Sequence, residues 1–234
     1  MKAVILAGGL GQRLKPFTQI IPKPLLPLGK SSVLKTQILS LKKCGIHDVI
    51  IATNYLSDYV KAFLDGKGYY DINISISEEK FPLGTSGPLS LLTDSLVDPF
   101  LLINGDILTK LNYSLLFEYS IGIESDIIVG VKDVKAPFEF GQIVSEGNYI
   151  VDVHEKPNFK MEILADIYLI KPHVINLIPK NTYYDIDDLI KEMLSKNMKV
   201  AKYKITDYWL DIGRIDDYDT AQDAYDQYFS DDKV

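Results

Sequence analysis

Three kinds of residue in the 234-residue sequence could do chemistry: cations set among glycines and prolines, single aspartates between apolar residues, and glycines that follow a short apolar run. Ala7–Phe17 reads AGGLGQRLKPF and comes directly after KAVIL. Gly8, Gly9 and Gly11 let the backbone approach a ligand and turn N–H groups toward phosphate oxygens, and Arg13 adds a guanidinium inside the same loop. Two familiar phosphate patterns do not fit. A dinucleotide fingerprint wants a third glycine where Leu14 stands, and a Walker A loop would need glycine at Pro24 to use Gly29-Lys30-Ser31. Pro22-Lys23-Pro24 fixes the backbone on both sides of one ammonium, which suits a phosphate as a point charge. Asn104-Gly105-Asp106 follows the apolar run PFLLI. A lone aspartate there suits Mg²⁺, which takes one or two carboxylates plus substrate phosphates, with a simple turn as the alternative. Asp211 in Trp209-Leu210-Asp211-Ile212-Gly213 is a second such aspartate, with a cap or turn as its alternative.

Two further segments are candidates. Glu155-Lys156-Pro157 follows a strand pattern, and Leu83-Gly84-Thr85-Ser86-Gly87 reads as the opening of a helix, whose free N–H groups can hold an anion or read a base edge. The acid runs Asp185–Asp188 and Asp216–Asp219 lack calcium-loop spacing and read as caps and solvated faces. His47, His154 and His173 show no metal-ligand spacing, and Cys44 reads as core.

The charge distribution narrows the class of ligand. The net charge is −7, which argues against a general nucleic-acid binder, yet residues 1–47 carry eight Lys and Arg and no acid. A basic segment in an acidic chain points to a localised anion site, with Lys35, Lys42 and Lys43 as solvated helix decoration. One cysteine cannot pair within the chain, no apolar run approaches the roughly 18 residues of a membrane span, and the N-terminus lacks a signal-peptide pattern. These features lead to the expectation of a cytoplasmic protein without membrane contact.

The elements that must position these residues follow from periodicity. Strands are expected at Lys2–Ala7, Asp48–Ala52, Ile72–Ser77 and Phe100–Ile103. Between them lie an ordered proline-bearing loop over residues 10–30, a helix capped by Ser31 or Ser32 and ended by Gly45, and helices at Leu56–Leu64 and Thr85–Leu92. That alternation means a parallel, doubly wound sheet. After Ser125 the segments DIIVGV, GQIVSE, YIVDVHE and ILADIYLI make the sheet mixed. Helices Pro172–Ile178 and Ile186–Ser195, strand Lys199–Lys204, Trp209–Gly213 and a last helix from Ile215 to Tyr228 complete the chain. We expect a single domain over residues 1–234: a nucleotide-binding part at about 1–110, a second ligand-binding part at about 111–215 and a C-terminal helix at about 215–229.

In this order, GGLGQRLKPFTQIIPKPLLPLG, PLGTSG, NGD, EKP and YWLDIG resemble the sugar-1-phosphate nucleotidyltransferases, and are most similar to short bacterial enzymes of the mannose-1-phosphate guanylyltransferase type. The resemblance runs from Met1 to about Tyr225. It implies a Rossmann-like, GT-A-type mixed and mainly parallel sheet flanked by helices, an α/β/α sandwich. It also implies that a nucleoside triphosphate and a sugar 1-phosphate react with Mg²⁺ (or Mn²⁺) to give a nucleotide sugar and pyrophosphate. Carried over, Leu6, Ala7, Gly8, Gly9 and Gly11 would lie along the nucleotide, and Arg13 on its β- and γ-phosphates. Lys23 would meet the phosphates at the reacting centre, with Glu79, Gly84 and Thr85 near the base. Asp106 and Asp211 would hold the metal, Lys156 would grip the sugar phosphate, and Gly141 and Glu155 would meet the sugar.

One segment departs from the pattern: where the family has Asn-Ala-Gly-Ile-Tyr, this chain has Leu164-Ala165-Asp166-Ile167-Tyr168. Asp166 is therefore a candidate for binding a hydroxyl or amino substituent of the sugar. GTP is the favoured triphosphate, with UTP, CTP and dTTP as alternatives. A catalytically silent nucleotide-sugar sensor is the second reading, and the presence of Arg13, Lys23, Asp106 and Asp211 together argues against it. A nicotinamide-dependent oxidoreductase is the third, disfavoured by the missing glycine. The resemblance and the tyrosines near the C-terminus (Tyr218, Tyr225, Tyr228) also point to self-association.

Overall fold

The structure is a computed structural model that describes residues 1–65 and 71–230. The first half runs β1 (Lys2–Leu6), the two-residue strands β2 (Pro27–Leu28) and β3 (Ser31–Ser32), α1 (Val33–Lys43), β4 (Asp48–Thr53), α2 (Ser57–Leu64), β5 (Asn73–Glu78), β6 (Phe100–Asn104) and β7 (Ile107–Thr109). The second half runs α3 (Tyr113–Ile121), β8 (Ile127–Pro137), β9 (Gln142–Glu146), β10 (Tyr149–His154), β11 (Asn158–Ile170), α4 (Ile186–Ser195), β12 (Val200–Lys204), β13 (Trp209–Asp211) and α5 (Ile215–Tyr228).

Seven strands form one sheet in the order β12-β8-β11-β6-β1-β4-β5. Strands β6, β1, β4 and β5 are mutually parallel, and β11 is antiparallel to both of its neighbours. Successive residues of β1 face opposite ways: Ala3 and Ile5 enter a core with Leu34, Ile38 and Leu41 of α1, whereas Val4 enters one with Leu189 and Met193 of α4. Both sheet faces are thus covered, which is why these strands read as continuous apolar runs and why the expected α/β/α layering forms. A third cluster, with Leu28, Leu108, Ile212, Ala221 and Phe229, fastens α5 over β2, β7 and β13.

Local signals account for the helix ends. The Ser32 hydroxyl accepts from the Lys35 N–H at the start of α1, Gly45 takes φ +73° just past its end, and the Asp217 carboxylate accepts from the Arg214 N–H at the start of α5.

Some of these expectations change. Thr85–Leu92 is a 3-10 segment, Gly87–Leu91, and Pro172–Ile178 is another, Pro172–Leu177. Both are short and carry proline in the first turn, and a short segment does not recover the cost of α-helix nucleation. Helix α3 and strand β7 were not anticipated; Asn112 caps α3 by accepting from the Ser114 N–H. Cys44 is the C-cap of α1 and only partly buried, with its thiol 3.5 Å from Asn112 Oδ1. Of the C-terminal tyrosines, Tyr218 donates its hydroxyl to Pro27 O and the Tyr225 ring lies against Gly29, while Tyr228 stays 41% exposed with its ring 5.0 Å from that of Tyr208.

Candidate active site

The carboxyl ends of β1 and β6 meet beside a cleft of about 320 Å³, where ligands of open α/β sheets bind. Leu6, Gly8, Gly9, Glu79, Gly84, Thr85 and Asp106 line it, as the sequence suggested. So do Leu10, Pro82, Leu83 and Asn104 from the same motifs, Asp185, read from sequence as a cap, and Tyr183, which the sequence reading did not single out. Ala7 is buried just beneath, its N–H donating to Ala52 O. Gly11 and Arg13 stand in the loop that leaves the cleft, Gly11 with φ +56°.

Glu79 forms one wall of the cleft. Its Oε2 accepts from the Leu83 N–H at 3.0 Å, and its Oε1 lies so close to Gly8 that a side chain there would meet it at 2.9 Å. Burial pushes the Glu79 carboxyl up to about 7, against the pull of the Leu83 N–H.

The opposite wall is clasped from afar. Tyr184 O accepts from the Ser86 and Gly87 N–H groups and the Ser86 hydroxyl, and Asp185 Oδ1 accepts from the Thr85 N–H at 3.1 Å. The Thr85 hydroxyl in turn accepts from the Ile186 N–H and so caps α4. The N–H groups of Thr85, Ser86 and Gly87, read from sequence as a helix opening free to bind an anion, are therefore already engaged. Asp185 is a clasp as well as a cap.

At the floor of the cleft Asp106, the one of three converging charged side chains that lines it, meets Lys23 and Asp211. The Lys23 ammonium is paired with Asp106 Oδ2 and lies 4.0 Å from Asp211 Oδ1. Strands β7 and β13 bring the two aspartates together, since Asp211 pairs with Ile107 and the Ile212 N–H donates to Asp106 O. Buried Gln37 secures the Asn-Gly-Asp turn by donating to both Asn104 O and Ile107 O at 2.8 Å. Arg13 joins from the side, where Gly213 leaves room for it: a Cβ there would sit 3.1 Å from Arg13 Nη2 and 3.1 Å from Asp211 Oδ2. Burial, and then the Asp106 charge, raise the Asp211 carboxyl above its ordinary value, with Lys23 and Arg13 opposing. Asp106 Oδ1 and Asp211 Oδ1 are buried without a hydrogen-bond partner. Two orphaned carboxylate oxygens beside a phosphate-sized cleft fit a hard divalent cation, which takes oxygen ligands and completes its shell with water and phosphate.

Asp166 also belongs to this end of the sheet. Its Oδ1 accepts from the Tyr168 hydroxyl at 2.9 Å and it interacts with the Asn104 amide. Burial pushes its carboxyl up to about 6; Tyr168 pulls it down, and the Asp106 and Asp211 charges add to the rise. Gly141, Glu155 and Lys156 lie apart, exposed on the arm formed by the outer ends of β8 and β11 and the β9–β10 hairpin. Gly141 and Glu155 are neighbours there, a Cβ at Gly141 lying 3.4 Å from Glu155 Oε2, and none of the three lines the cleft.

The family model described as nucleotidyl transferase matches residues 2–228. Mannose-1-phosphate guanylyltransferase 1 of Arabidopsis thaliana is 34% identical over 237 residues, and the mannose-1-phosphate guanyltransferase of Schizosaccharomyces pombe is 32% identical. Each alignment covers 96% of this chain and 64% of the relative, so the chain spans somewhat less than two thirds of their length. Among solved structures, HddC from Yersinia pseudotuberculosis superposes with a TM-score of 0.77 at 24% identity, covering 96% of this chain and 99% of that one. The inositol-1-phosphate CTP transferase from T. maritima superposes with a TM-score of 0.72 at 19% identity, covering 96% of each chain.

Proposed function

This chain belongs to the nucleotidyl transferase family, and we propose that it joins a nucleoside triphosphate to a sugar 1-phosphate, releasing pyrophosphate, with GTP and mannose 1-phosphate or a related sugar as substrates. The observation that carries the reading is Lys23 beside Asp106 and Asp211 at the floor of a glycine-walled cleft. In the reaction an oxygen of the sugar phosphate attacks the α-phosphorus in line and the bond to the β-phosphate oxygen breaks. The nucleophile is already an anion, so no strong base is needed, and the obstacle is to bring two anions together. Lys23 and Arg13 supply fixed positive charge where negative charge gathers, and the glycine loop lets the backbone approach the phosphates. Asp106 and Asp211 would hold Mg²⁺ or Mn²⁺, which when bound neutralises phosphate oxygens and the leaving pyrophosphate. Lys156 would supply charge to the sugar phosphate from the arm.

Glu79 supports GTP. Guanine presents two adjacent donors, N1–H and N2–H₂, to a carboxylate, whereas uracil and thymine present one N–H on that edge and cytosine one amino group. The names of the Arabidopsis thaliana and Schizosaccharomyces pombe relatives support this choice, whereas the T. maritima structure is named a CTP transferase.

The test is pyrophosphate release with Mg²⁺ across GTP, UTP, CTP, dTTP and ATP against mannose, glucose, glucosamine, N-acetylglucosamine and heptose 1-phosphates. Turnover with GTP and one of these sugars is expected. Turnover with a pyrimidine triphosphate alone would overturn the base assignment, and nucleotide binding with no turnover in any pairing would favour a silent sensor.

A further inference from the structure

Asp166 stands one step beyond the Ile167–Ile103 pair on the antiparallel β11–β6 ladder, which sets it across from Asn104 and two residues from Asp106. The β11–β8 register shifts between Leu164 and Tyr168, and within that irregularity Asp166 takes φ +55°. That left-handed conformation costs an L-residue energy that glycine would not lose. Its surroundings hold it there from both sides: Oδ1 accepts from the Tyr168 hydroxyl, and Trp209, two residues from Asp211, donates through Nε1 to Ala165 O at 2.8 Å. The strained backbone thus sets a third carboxylate, bonded to Tyr168 and Asn104, close enough to interact with the charges of Asp106 and Asp211.

A third negative charge here works against a phosphate substrate. Asp106 and Asp211 face the cations of Lys23 and Arg13, and Asp166 adds a negative charge that interacts with both of these carboxylates, so the excess is negative. Such an excess favours a cation and disfavours a bare triphosphate. Among the described residues no three carboxylates, imidazoles or thiolates are grouped so as to hold one metal ion, so a charge at Asp166 would act without coordinating the ion.

We propose that Asp166 is a positioning residue of the cation site, raising the affinity of the Asp106–Asp211 pair for a divalent cation by charge rather than by coordination. The inference rests on the reading of these two aspartates as the metal pair of a nucleotidyltransferase. It predicts opposite signs for two ligands. Removing the charge should weaken binding of a divalent cation and strengthen binding of metal-free nucleotide.

The experiment titrates Mn²⁺ into the full chain without nucleotide, following the free-ion electron paramagnetic resonance signal, and separately titrates GTP in the presence of a chelator. Asp166→Asn keeps the volume and the acceptor for Tyr168; Asp166→Gly removes the side chain and relieves the strained backbone, so it remains foldable. Both are expected to weaken Mn²⁺ on the order of tenfold, as loss of an outer partner of a metal site does, and to tighten metal-free GTP. Tyr168→Phe, which removes the hydrogen bond and leaves the charge, should stay within about twofold for Mn²⁺. Unchanged Mn²⁺ affinity in both Asp166 variants overturns the proposal and leaves Asp166 as an acceptor for Tyr168 alone. Asp211→Asn separates the two readings. If it abolishes Mn²⁺ binding while the Asp166 variants do not change it, this inference fails alone; if it changes nothing, the cation site itself is misassigned and both fail.

Discussion

The floor of the cleft and the arm carry the two halves of one proposed reaction, yet they are built on opposite principles. At the floor, Asp106 and Asp211 sit at the ends of strands whose flanking residues Ile103, Ile107 and Ile212 are fully or almost fully buried, and Lys23 opens a 3-10 turn between two prolines. Their geometry is set by the core before any ligand arrives. On the arm, Gly141, Glu155 and Lys156 share a two-stranded hairpin whose Ile143, Ile150 and Val153 are more than half exposed. A two-stranded ribbon with little core beneath it is marginal by itself. On the proposed reading the contrast separates two tasks: fixed electrostatics for the reacting phosphates, and an exposed surface for the second substrate.

The largest expected effect tests the fixed half. Asp106→Asn or Asp211→Asn should lower kcat/KM by roughly 10²-fold or more while far-ultraviolet circular dichroism stays unchanged, because each removes a preorganised charge from the reacting centre. Near-wild-type turnover in either would remove that residue from the site. Lys156→Ala tests the other half. It should raise KM for the sugar phosphate roughly tenfold or more, the scale of one charge-assisted hydrogen bond, and leave the Kd for GTP unchanged. A loss of GTP affinity would show that arm and floor are one preformed unit.

A third expectation concerns the cleft wall. The Glu79 carboxyl is raised from its ordinary value of 4.5 to about 7 by burial, so the folded protein keeps a proton that the unfolded chain releases between those values. The stability contribution is intact below the lower value and lost as pH rises through the upper one. Glu79→Gln carries no such penalty. Relative to wild type it should melt several degrees higher near pH 8 and at the same temperature below about pH 4.5, read by thermal unfolding. An equal difference at both pH values would mean that Glu79 is ionised freely in the folded state.

Much of the floor was legible in the sequence because buried parallel strands read as unbroken apolar runs, and the glycines, prolines and lone aspartates stand at their ends. The clasp on the opposite wall was not. Asp185 bonds to Thr85 across 100 residues of chain, and nothing local distinguishes it from an ordinary helix cap. Buried Gln37 was equally hidden, since a glutamine in an amphipathic helix reads as surface until the turn that it braces is known. Proline in the first turn of Gly87–Leu91 and Pro172–Leu177 was a usable signal for 3-10 geometry, and the apolar spacing outweighed it. Asp166 was visible as a departure from a pattern, but its direction depends on a left-handed φ and on Trp209, both tertiary facts.

The smallest effect is the sharpest probe of how the two regions differ. Val→Thr keeps shape and exchanges a methyl for a hydroxyl, so its cost reports burial almost alone. At Val4, fully buried in β1, it should destabilise by about 1–3 kcal/mol, since the hydroxyl loses water without a ready partner. At Val153, 57% exposed on β10, the same change should fall within about 0.5 kcal/mol of zero by chemical denaturation. A near-zero value at Val153 means the hairpin contributes little to the stability of the free protein, as a surface reserved for a substrate or a partner should. A cost at Val153 approaching that at Val4 would mean that the arm is already packed in solution, against a second copy or against its own sheet. Repeating the measurement across protein concentration separates those two, because only the packing between copies depends on it.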